Sequence, residues 1–226
     1  GPIVTTIDSM NSFDGIDLHP DHFTRMDEAP DEIFYRPARL VTHIDDAACA
    51  ALTAYYAKQL RHGDSILDLM SSCVSHLPAA LSPKTVVGLG MNAKELETNP
   101  RLDSYIVQNL NTNSILPFKS YTFDACLIAV SIQYLTDPLT VFAEISRVLS
   151  PGGRLIVSFS NRMFPTKAVS IWRFLDHTGR CDYVTACMNK SAAYENIRII
   201  NLSPNPGHSD PLYSVTATSK TKDFRQ

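Results

Sequence analysis

The stretch that decides the fold is Ser65-Ile66-Leu67-Asp68-Leu69-Met70, a short apolar run around one acid. Its length and continuous hydrophobicity predict a buried strand of a parallel sheet. The turn Ser71-Ser72-Cys73-Val74-Ser75-His76 follows it. In α/β domains that bind phosphate-bearing ligands, a glycine-rich turn stands at this place, because glycine lets the backbone approach the ligand. This turn has no glycine, so the sequence predicts a binding loop of altered construction.

Strand and helix patterns alternate on the C-terminal side of this stretch. They predict an α/β fold with a doubly wound, mostly parallel seven-stranded sheet and an antiparallel edge hairpin at the C-terminal end. In such sheets ligands bind beyond the carboxyl ends of the strands, near the switch point. Strands are predicted at 65–70, 85–90, 104–108, 123–130, 154–160, 194–202 and 212–218. Helical stretches are predicted from 45, near 76–81, near 92–98, from 137, and over 163–190 with a break at Thr178-Gly179.

Helix-start and helix-stop residues support these assignments. Asp45-Asp46 can cap the first long helix, and Gly63 suits the left-handed turn that stops it. Asp137-Pro138 predicts another helix start, because proline has no amide to leave unpaired at the first helical position. Residues 1–44 are rich in Asp, Pro and His and only weakly periodic. We expect an N-terminal cap or substrate segment at 1–44, or a partly ordered tail, and a cofactor-binding domain at 45–226.

Composition excludes several classes of function. The 226 residues are 44% hydrophobic and carry a net charge of −3 without a basic run, which argues against nucleic-acid binding. No apolar run nears the roughly 20 residues that span a bilayer, and the first residues do not read as a signal peptide. Five cysteines without a C-x-x-C pair indicate a reducing, cytoplasmic location, and no ligand grouping predicts a metal site. We expect a monomer or homodimer that acts on a small molecule, with no membrane partner.

Several stretches downstream of the first loop resemble the class I S-adenosylmethionine-dependent methyltransferases, specifically their type 11-like members. Ile145 to Leu155, which reads through Arg147-Val148-Leu149-Ser150-Pro151-Gly152-Gly153, matches the family turn before the fifth strand most closely. The other matching stretches are Gln108 to Asn111, Ile115 to Phe118, Phe123-Asp124 and Ser131 to Pro138. The resemblance covers roughly residues 64 to 165. It implies the methyltransferase form of the Rossmann-like fold and S-adenosylmethionine as cofactor.

Two departures from the family pattern concern cofactor binding. In the first loop only Asp68 matches, and Met70, Ser72 and Val74 stand where the family has glycines. In the second strand the family has an acid that binds the ribose hydroxyls, whereas this chain reads Gly88-Leu89-Gly90-Met91-Asn92.

The resemblance implies roles for residues at the strand ends. Asp68 orients the methionine part of the cofactor, Met91 packs against adenine, and Asn92 and Asn109 replace acids that bind ribose and adenine. Ser71 and Ser72 are expected to bind the cofactor carboxylate, with Tyr35 and Arg36 closing over it, while Arg39 is interpreted as exposed charge. The expected cofactor-binding residues are Tyr35, Arg36, Asp68, Met70, Ser71, Ser72, Gly90, Met91, Asn92, Asn109, Leu110, Asn111, Val130 and Ser131.

Candidates for the chemistry follow the fourth and fifth strands. Tyr134 is placed beside the sulfonium, where an aromatic face attracts a cation, and Ser131 and His43 complete the catalytic candidates. Gln133, Asn161 and Arg162 are the substrate candidates, and His76 has no predicted role.

Three functions remain open from the sequence. The first is a methyltransferase for a small-molecule metabolite. The second uses the same cofactor but transfers its 3-amino-3-carboxypropyl group, or cyclises it to azetidine-2-carboxylate, with release of methylthioadenosine. The third is a non-catalytic binding module on this fold.

Overall fold

The computed structural model describes residues 2–6 and 17–220. Eight strands form one mixed sheet in the order β1-β7-β8-β6-β5-β2-β3-β4. The strands are β1 (Ile3–Thr6), β2 (Ser65–Leu69), β3 (Thr85–Gly90), β4 (Ser104–Val107), β5 (Phe123–Ala129), β6 (Leu149–Phe159), β7 (Tyr194–Asn201) and β8 (Tyr213–Ser219). The helices are α1 (Asp31–Phe34), α2 (Asp46–Gln59), α3 (Ala93–Thr98), α4 (Pro138–Val148), α5 (Ser170–Phe174) and α6 (His177–Lys190).

The sheet confirms the predicted doubly wound class. Strands β4, β3, β2, β5 and β6 are parallel, and β8 and β7 continue the sheet as an antiparallel hairpin. The sequence did not predict β1, which pairs antiparallel with β7 and makes an eighth strand at that edge. From β2 the chain adds β3 and then β4 on one side. It then returns to the other side of β2, where it adds β5 and then β6. The switch point therefore lies between β2 and β5.

Alternating side chains along the central strands build a core on each face of the sheet. Ile66, Ala125 and Ile156 pack with helix α2 on one face. Their neighbours Leu67, Cys126 and Val157 pack with helices α4 and α6 on the other. Such two-sided burial explains the uninterrupted apolar runs of these strands. In the described residues no helix is both long enough and apolar enough to cross a membrane.

Aspartate side chains cap the N-termini of helices α2, α4 and α6. Asp45 accepts a hydrogen bond from the amide of Ala48, and Asp137 accepts one from the amide of Thr140, as the sequence predicted. Asp176 does the same for Gly179, which places the break before α6 at 175–176 instead of the predicted Thr178-Gly179.

The short helix predicted near 76–81 is wrong. The segment from 70 to 84, between β2 and β3, contains no helix. His76 has a φ of +58°, which a right-handed helix does not tolerate, and Pro78 follows two residues later. Side chains from the α3–β4 connection hold this segment instead: Asn99 donates to the carbonyl of Ser72 at 2.9 Å, and the Arg101 guanidinium donates to the carbonyls of Pro78 and Leu81 at 2.8 and 2.9 Å.

Candidate cofactor and substrate cleft

A cleft lies at the carboxyl ends of the parallel strands, beside the switch point. Its empty space, including the part open to solvent, is about 1150 Å³. Most of the residues singled out from the sequence line it: Tyr35, His43, Asp68, Met70, Ser71, Ser72, Gly90, Met91, Asn92, Asn109, Leu110, Asn111, Val130, Ser131 and Tyr134. The segment of residues 17–44, here called the strap, supplies Asp31, Tyr35, Arg39, Val41, Thr42 and His43 to the same cleft.

The backbone is left-handed at one of the family glycine positions after β2 and again at the end of β5, although neither residue is glycine. Met70, in the first family glycine position, has a φ of +56°, and Val130 at the end of β5 has a φ of +53°. A β-branched residue with positive φ is rare, and such backbone conformations gather at functional sites. Both residues line the cleft, so the unfavourable backbone geometry concentrates where the two central strands end.

Gly90 ends β3, at the position where the family has its ribose-binding acid. The amide of Ser71 donates to the carbonyl of Leu89 at 2.8 Å, so the loop after β2 crosses the end of β3. A Cβ atom on residue 90 would lie 2.4 Å from the carbonyl oxygen of Ser71, far inside van der Waals contact. Any side chain at this position, acidic or not, would require the loop to move.

Asp68 forms the buried floor of the cleft on the β2 side. It is 4% exposed, and its Oδ2 accepts hydrogen bonds from the hydroxyls of Ser71 and Ser75, both at 2.6 Å. Burial raises the pKa of Asp68 to about 6, although the two hydroxyl donors oppose the shift. The Ser71 hydroxyl is therefore bound to an acid.

Glu95 contributes a second carboxylate from the first turn of α3. The Ser72 hydroxyl donates to its Oε1 at 2.7 Å, and the Arg39 amide donates to its Oε2 at 3.2 Å. Since both serine hydroxyls donate to carboxylates, the loop presents acceptors to the cleft. This arrangement suits an ammonium group better than the carboxylate that the sequence prediction assigned to Ser71 and Ser72.

The Asn92 side chain is committed to the protein. Its Oδ1 accepts from the Glu95 amide as the N-cap of α3, and its Nδ2 donates to the carbonyls of Tyr35 and Arg36 at 3.0 and 3.1 Å. Asn92 thus ties the strap to β3, and its amide is not free to bind two ribose hydroxyls as the sequence suggested.

Asn109 and Asn111 also hold the strap. Asn109 donates to Glu32 at 3.0 Å and accepts from the amide of Asn111 at 2.9 Å. Asn111 donates to Asp31 at 3.1 Å and to the carbonyl of Tyr134 at 2.8 Å. The Asn109 oxygen keeps one lone pair for the predicted contact with adenine, and Leu110 and Met91 supply apolar wall beside it.

The end of β5 presents a hydroxyl that has no partner. Ser131 is 8% exposed, and its Oγ makes no hydrogen bond. A buried hydroxyl without a partner is costly, so its position in the cleft wall points to a ligand atom. The Tyr134 hydroxyl, three residues on, accepts from the Phe164 amide at 2.8 Å, and burial raises its pKa. Tyr134 is therefore a neutral wall residue.

An aromatic cluster with one guanidinium closes the strap side of the cleft. Tyr134 stacks on Phe164 with ring centroids 5.9 Å apart, and His43 meets Phe164 edge-on at 5.4 Å. The Arg39 guanidinium carbon lies 5.0 Å from the Phe164 centroid and 4.6 Å from that of Phe34. These distances fall within cation–π range.

Four predicted residues lie outside the cleft. Arg36 is exposed, and Arg39 takes the place in the cleft that the sequence gave to Arg36. Gln133 is buried and donates to the carbonyl of Val130 at 3.1 Å. Asn161 is exposed, and Arg162 forms an ion pair at 2.9 Å with Asp210 of the β7–β8 loop. The substrate prediction for Gln133, Asn161 and Arg162 is thus not matched by their positions.

Sequence reasoning missed Arg39, His76, Glu95 and Phe164, which all line the cleft. Phe164 lies outside every matched motif, and Glu95 lies five residues beyond Gly90, where the family has its acid. Only the Asn-x-x-Glu spacing from Asn92 to Glu95, a helix-start signature, hinted that Glu95 faces the loop.

Comparisons with known proteins agree with the resemblance that the sequence motifs indicate. Residues 70–157 match the family model described as a methyltransferase domain. Over these residues the chain is similar to the methyltransferase domain of the class I S-adenosylmethionine-dependent enzymes.

The relatives match over the same core. A demethylmenaquinone methyltransferase of Streptomyces avermitilis is 30% identical over 102 residues, which are 45% of this chain and 44% of the relative. One of Mycobacterium sp. strain JLS is 34% identical over 109 residues, 46% of each chain. The chain spans less than half the length of the curated relatives it matches.

Solved structures show the same fold. The [4+2]-cyclase SpnF superposes with a TM-score of 0.57 at 15% identity over 82% of this chain and 90% of that one. A putative S-adenosylmethionine-dependent methyltransferase from Listeria monocytogenes gives 0.56 at 13% identity, over 78% and 100%.

S-adenosylmethionine is the cofactor that this superfamily implies, and the cleft fits it. The acceptor-rich pair Asp68 and Glu95 suits the ammonium, and the unpartnered Ser131 hydroxyl supplies a hydrogen-bonding group on the opposite strand. Met91 and Leu110 provide the apolar surface that a purine ring requires.

Proposed function

We propose that this protein transfers the methyl group of S-adenosylmethionine to a small-molecule acceptor. The observation that carries the proposal is the strap, which covers the carboxyl ends of β2, β3 and β5 and is fixed by Asn92, Asn109 and Asn111. A cleft roofed in this way admits a small molecule and excludes bulk water. Methyl transfer depends chiefly on such alignment and exclusion of water.

The residues of the cleft divide into two ends under this proposal. Asp68, Glu95 and the serine hydroxyls bind the ammonium end of the cofactor, and Met91 and Leu110 contact adenine. The aromatic wall of Tyr35, Tyr134 and Phe164 faces the sulfonium, whose positive charge an aromatic face stabilises. The acceptor occupies the remaining space under the strap.

One observation favours the alternative that the aminocarboxypropyl carbon is attacked. Cyclisation of the cofactor requires a deprotonated amine, and the Asp68 carboxylate, with a pKa of about 6, lies where the amine is expected. The relatives named demethylmenaquinone methyltransferase favour methyl transfer to an organic small molecule, and they match only the core of the fold.

Product analysis distinguishes these reactions. The protein is incubated with S-adenosylmethionine and a metabolite extract, and the nucleoside products are measured by mass spectrometry. Release of S-adenosylhomocysteine supports the proposal, whereas methylthioadenosine as the sole enzymatic product refutes it. Titration calorimetry with S-adenosylhomocysteine tests binding separately, and absence of binding at millimolar ligand would support the non-catalytic alternative.

A further inference from the structure

Two histidines that the cofactor end does not use face the cleft from opposite elements. His43 lies on the strap, and His76 lies on the loop between β2 and β3. His76 is held there by its left-handed backbone and by the bond network of the loop around Ser75 and Asn99. Neither imidazole has a hydrogen-bond partner among residues 2–6 and 17–220. Two imidazoles with free ring nitrogens in one cleft are available to a ligand.

Burial keeps these imidazoles neutral near pH 7. Burial lowers the pKa of His76 to about 4, and repulsion from His43 adds to the shift. Burial and, more weakly, Arg39 lower the pKa of His43, while Glu95 opposes them. On the far side of His76, a neighbouring opening carries Asp46 and Arg101. A neutral imidazole can accept a proton, and His43, whose pKa is lowered less than that of His76, is the stronger base of the two.

Arg39 gives this end of the cleft a positive charge. Its guanidinium donates to the backbone carbonyls of Phe34 and Pro37 at 3.1 and 3.4 Å, and no described carboxylate forms an ion pair with it. Of its five N–H donors, some remain for a ligand. An arginine held against Phe34 and Phe164 in this way suits an anion attached to a flat ring.

Building on the proposed methyltransferase function, we propose that the acceptor is an acidic hydroxyl on a flat ring, a phenol or enol, which His43 deprotonates and Arg39 holds as the anion, with the neutral His76 imidazole lining the same end of the cleft. The hydroxyl proton moves to an imidazole nitrogen, and the oxygen forms a bond to the methyl carbon. The methyl–sulfur bond breaks with its electron pair remaining on sulfur, and the imidazolium then releases its proton to water.

Other acceptor classes fit this end of the cleft less well. An alkyl amine is protonated near pH 7 and is repelled by Arg39 and by the sulfonium. A carboxylate is already ionised and gives the two imidazoles no proton to accept. A phenol needs the base, is stabilised as an anion by Arg39, and stacks on an aromatic wall. Val41 and Val74, which are 61% and 40% exposed, provide an apolar mouth for the ring.

A binding experiment tests the anion site without turnover. 4-Nitrophenol is titrated into the S-adenosylhomocysteine complex, and bound phenolate is followed by its absorption. We expect wild type to bind it as the phenolate and Arg39→Gln to bind it roughly tenfold more weakly, with unchanged affinity for S-adenosylhomocysteine. If Arg39→Gln instead weakens S-adenosylhomocysteine binding and leaves nitrophenol binding intact, the assignment of Arg39 is wrong.

A kinetic experiment tests the base. Methyl ether formation is measured over a series of phenols of rising pKa, with anilines and thiophenols of matched shape. We expect His43→Gln to lower kcat by on the order of 10²-fold for weakly acidic phenols and far less for phenols already ionised at the assay pH. His76→Gln should have a smaller effect, and His208→Gln, which changes an exposed histidine in the β7–β8 loop, should match wild type.

The outcomes separate this inference from the proposed function. Methyl transfer to anilines or thiophenols alone, or to none of the phenols, overturns the inference while cofactor binding and S-adenosylhomocysteine release still support the function. A loss on His43→Gln that is equal for acidic and weakly acidic phenols also overturns it, because a structural role has no dependence on the pKa of the acceptor.

Discussion

At the scale of single residues, position 90 and the loop after β2 constrain each other. The family places glycines in the loop and an acid at the end of the neighbouring strand. This chain has side chains in the loop and Gly90 on the strand, and the Ser71 carbonyl occupies the space of a side chain at 90. The cofactor loop is therefore supported by Asp68, Glu95 and Asn99 through side-chain hydrogen bonds.

We expect Gly90→Ala to destabilise the protein by about 1–3 kcal/mol and to weaken S-adenosylhomocysteine binding. The new Cβ atom meets backbone, which cannot rotate away. Gly88→Ala is the matched control on the same face of β3, because its Cβ atom would lie 2.5 Å from a flexible methyl group of Leu102. Urea unfolding and calorimetry measure both effects, and equal losses in the two variants would contradict the steric argument.

The pKa shifts of Asp68 and His76 make the stability of the protein depend on pH in opposite directions. The folded state binds the Asp68 proton with a pKa of about 6, above the value of about 4 in an unfolded chain. Through Asp68, stability is thus complete below pH 4 and is lost as pH rises through 6. For His76 the folded pKa of about 4 lies below the unfolded value of about 6.5, so stability is lost as pH falls through that window.

We therefore expect the free energy of unfolding of Asp68→Asn, relative to that of wild type, to increase by about 2 kcal/mol as the pH rises from 4 to 7. For His76→Gln the same difference should decrease by a similar amount over this range. Urea unfolding at unit pH steps measures both, and the remaining titrating groups cancel in the differences. Parallel pH profiles of the two variants would show that these groups do not titrate as argued.

At the scale of elements, the strap is attached to the sheet by a buried ion cluster. Lys167 is fully buried, and its Nζ donates to the carbonyls of Asp27 and Ala29 and lies 2.9 Å from Asp31. Burial works against ionisation of Asp31, but hydrogen bonds from Lys167, Asn111 and Arg25 outweigh it and hold the pKa of Asp31 below its usual value. Asp31 also lines the cleft, so the cluster joins the strap to the site.

We expect Lys167→Met to loosen the strap selectively. Loss of one partner from a buried ion cluster costs about 3–5 kcal/mol locally. Hydrogen exchange of residues 25–40 should become faster, while exchange of β2, β5 and β6 stays near wild type. Arg162→Gln, which removes a pair whose arginine is 62% exposed, should leave exchange unchanged. Uniform acceleration over the whole sheet would mean that Lys167 stabilises the core instead.

At the scale of the whole molecule, the cleft is formed by segments from both halves of the chain. Its walls come from the strap, the loop after β2, α3, the end of β5 and Phe164. These segments come together only when the whole sheet has formed. A ligand that contacts all of them stabilises the folded state in proportion to its binding free energy.

We expect S-adenosylhomocysteine at 100 times its Kd to raise Tm by roughly 5–10 °C. Adenosine alone should produce a clearly smaller rise at the same concentration, because it lacks the ammonium that Asp68 and Glu95 accept. Differential scanning fluorimetry measures the shifts. An equal rise with adenosine would show that the acidic loop does not bind the methionine end.

Seven of the eight described strands, the switch point and the resemblance to methyltransferases can be predicted from the sequence, because buried parallel strands, helix caps and short motifs are local patterns. Asp45 and Asp137 cap the helices that follow them, and the run from Ile145 to Leu155 carries the closest motif match. Which side chains meet in the cleft depends instead on the tertiary fold. Arg39 instead of Arg36 and His76 beside His43 depend on how the strap and a helix-free loop pack against each other. Hydrogen bonds between distant segments, which no local period reveals, set that packing.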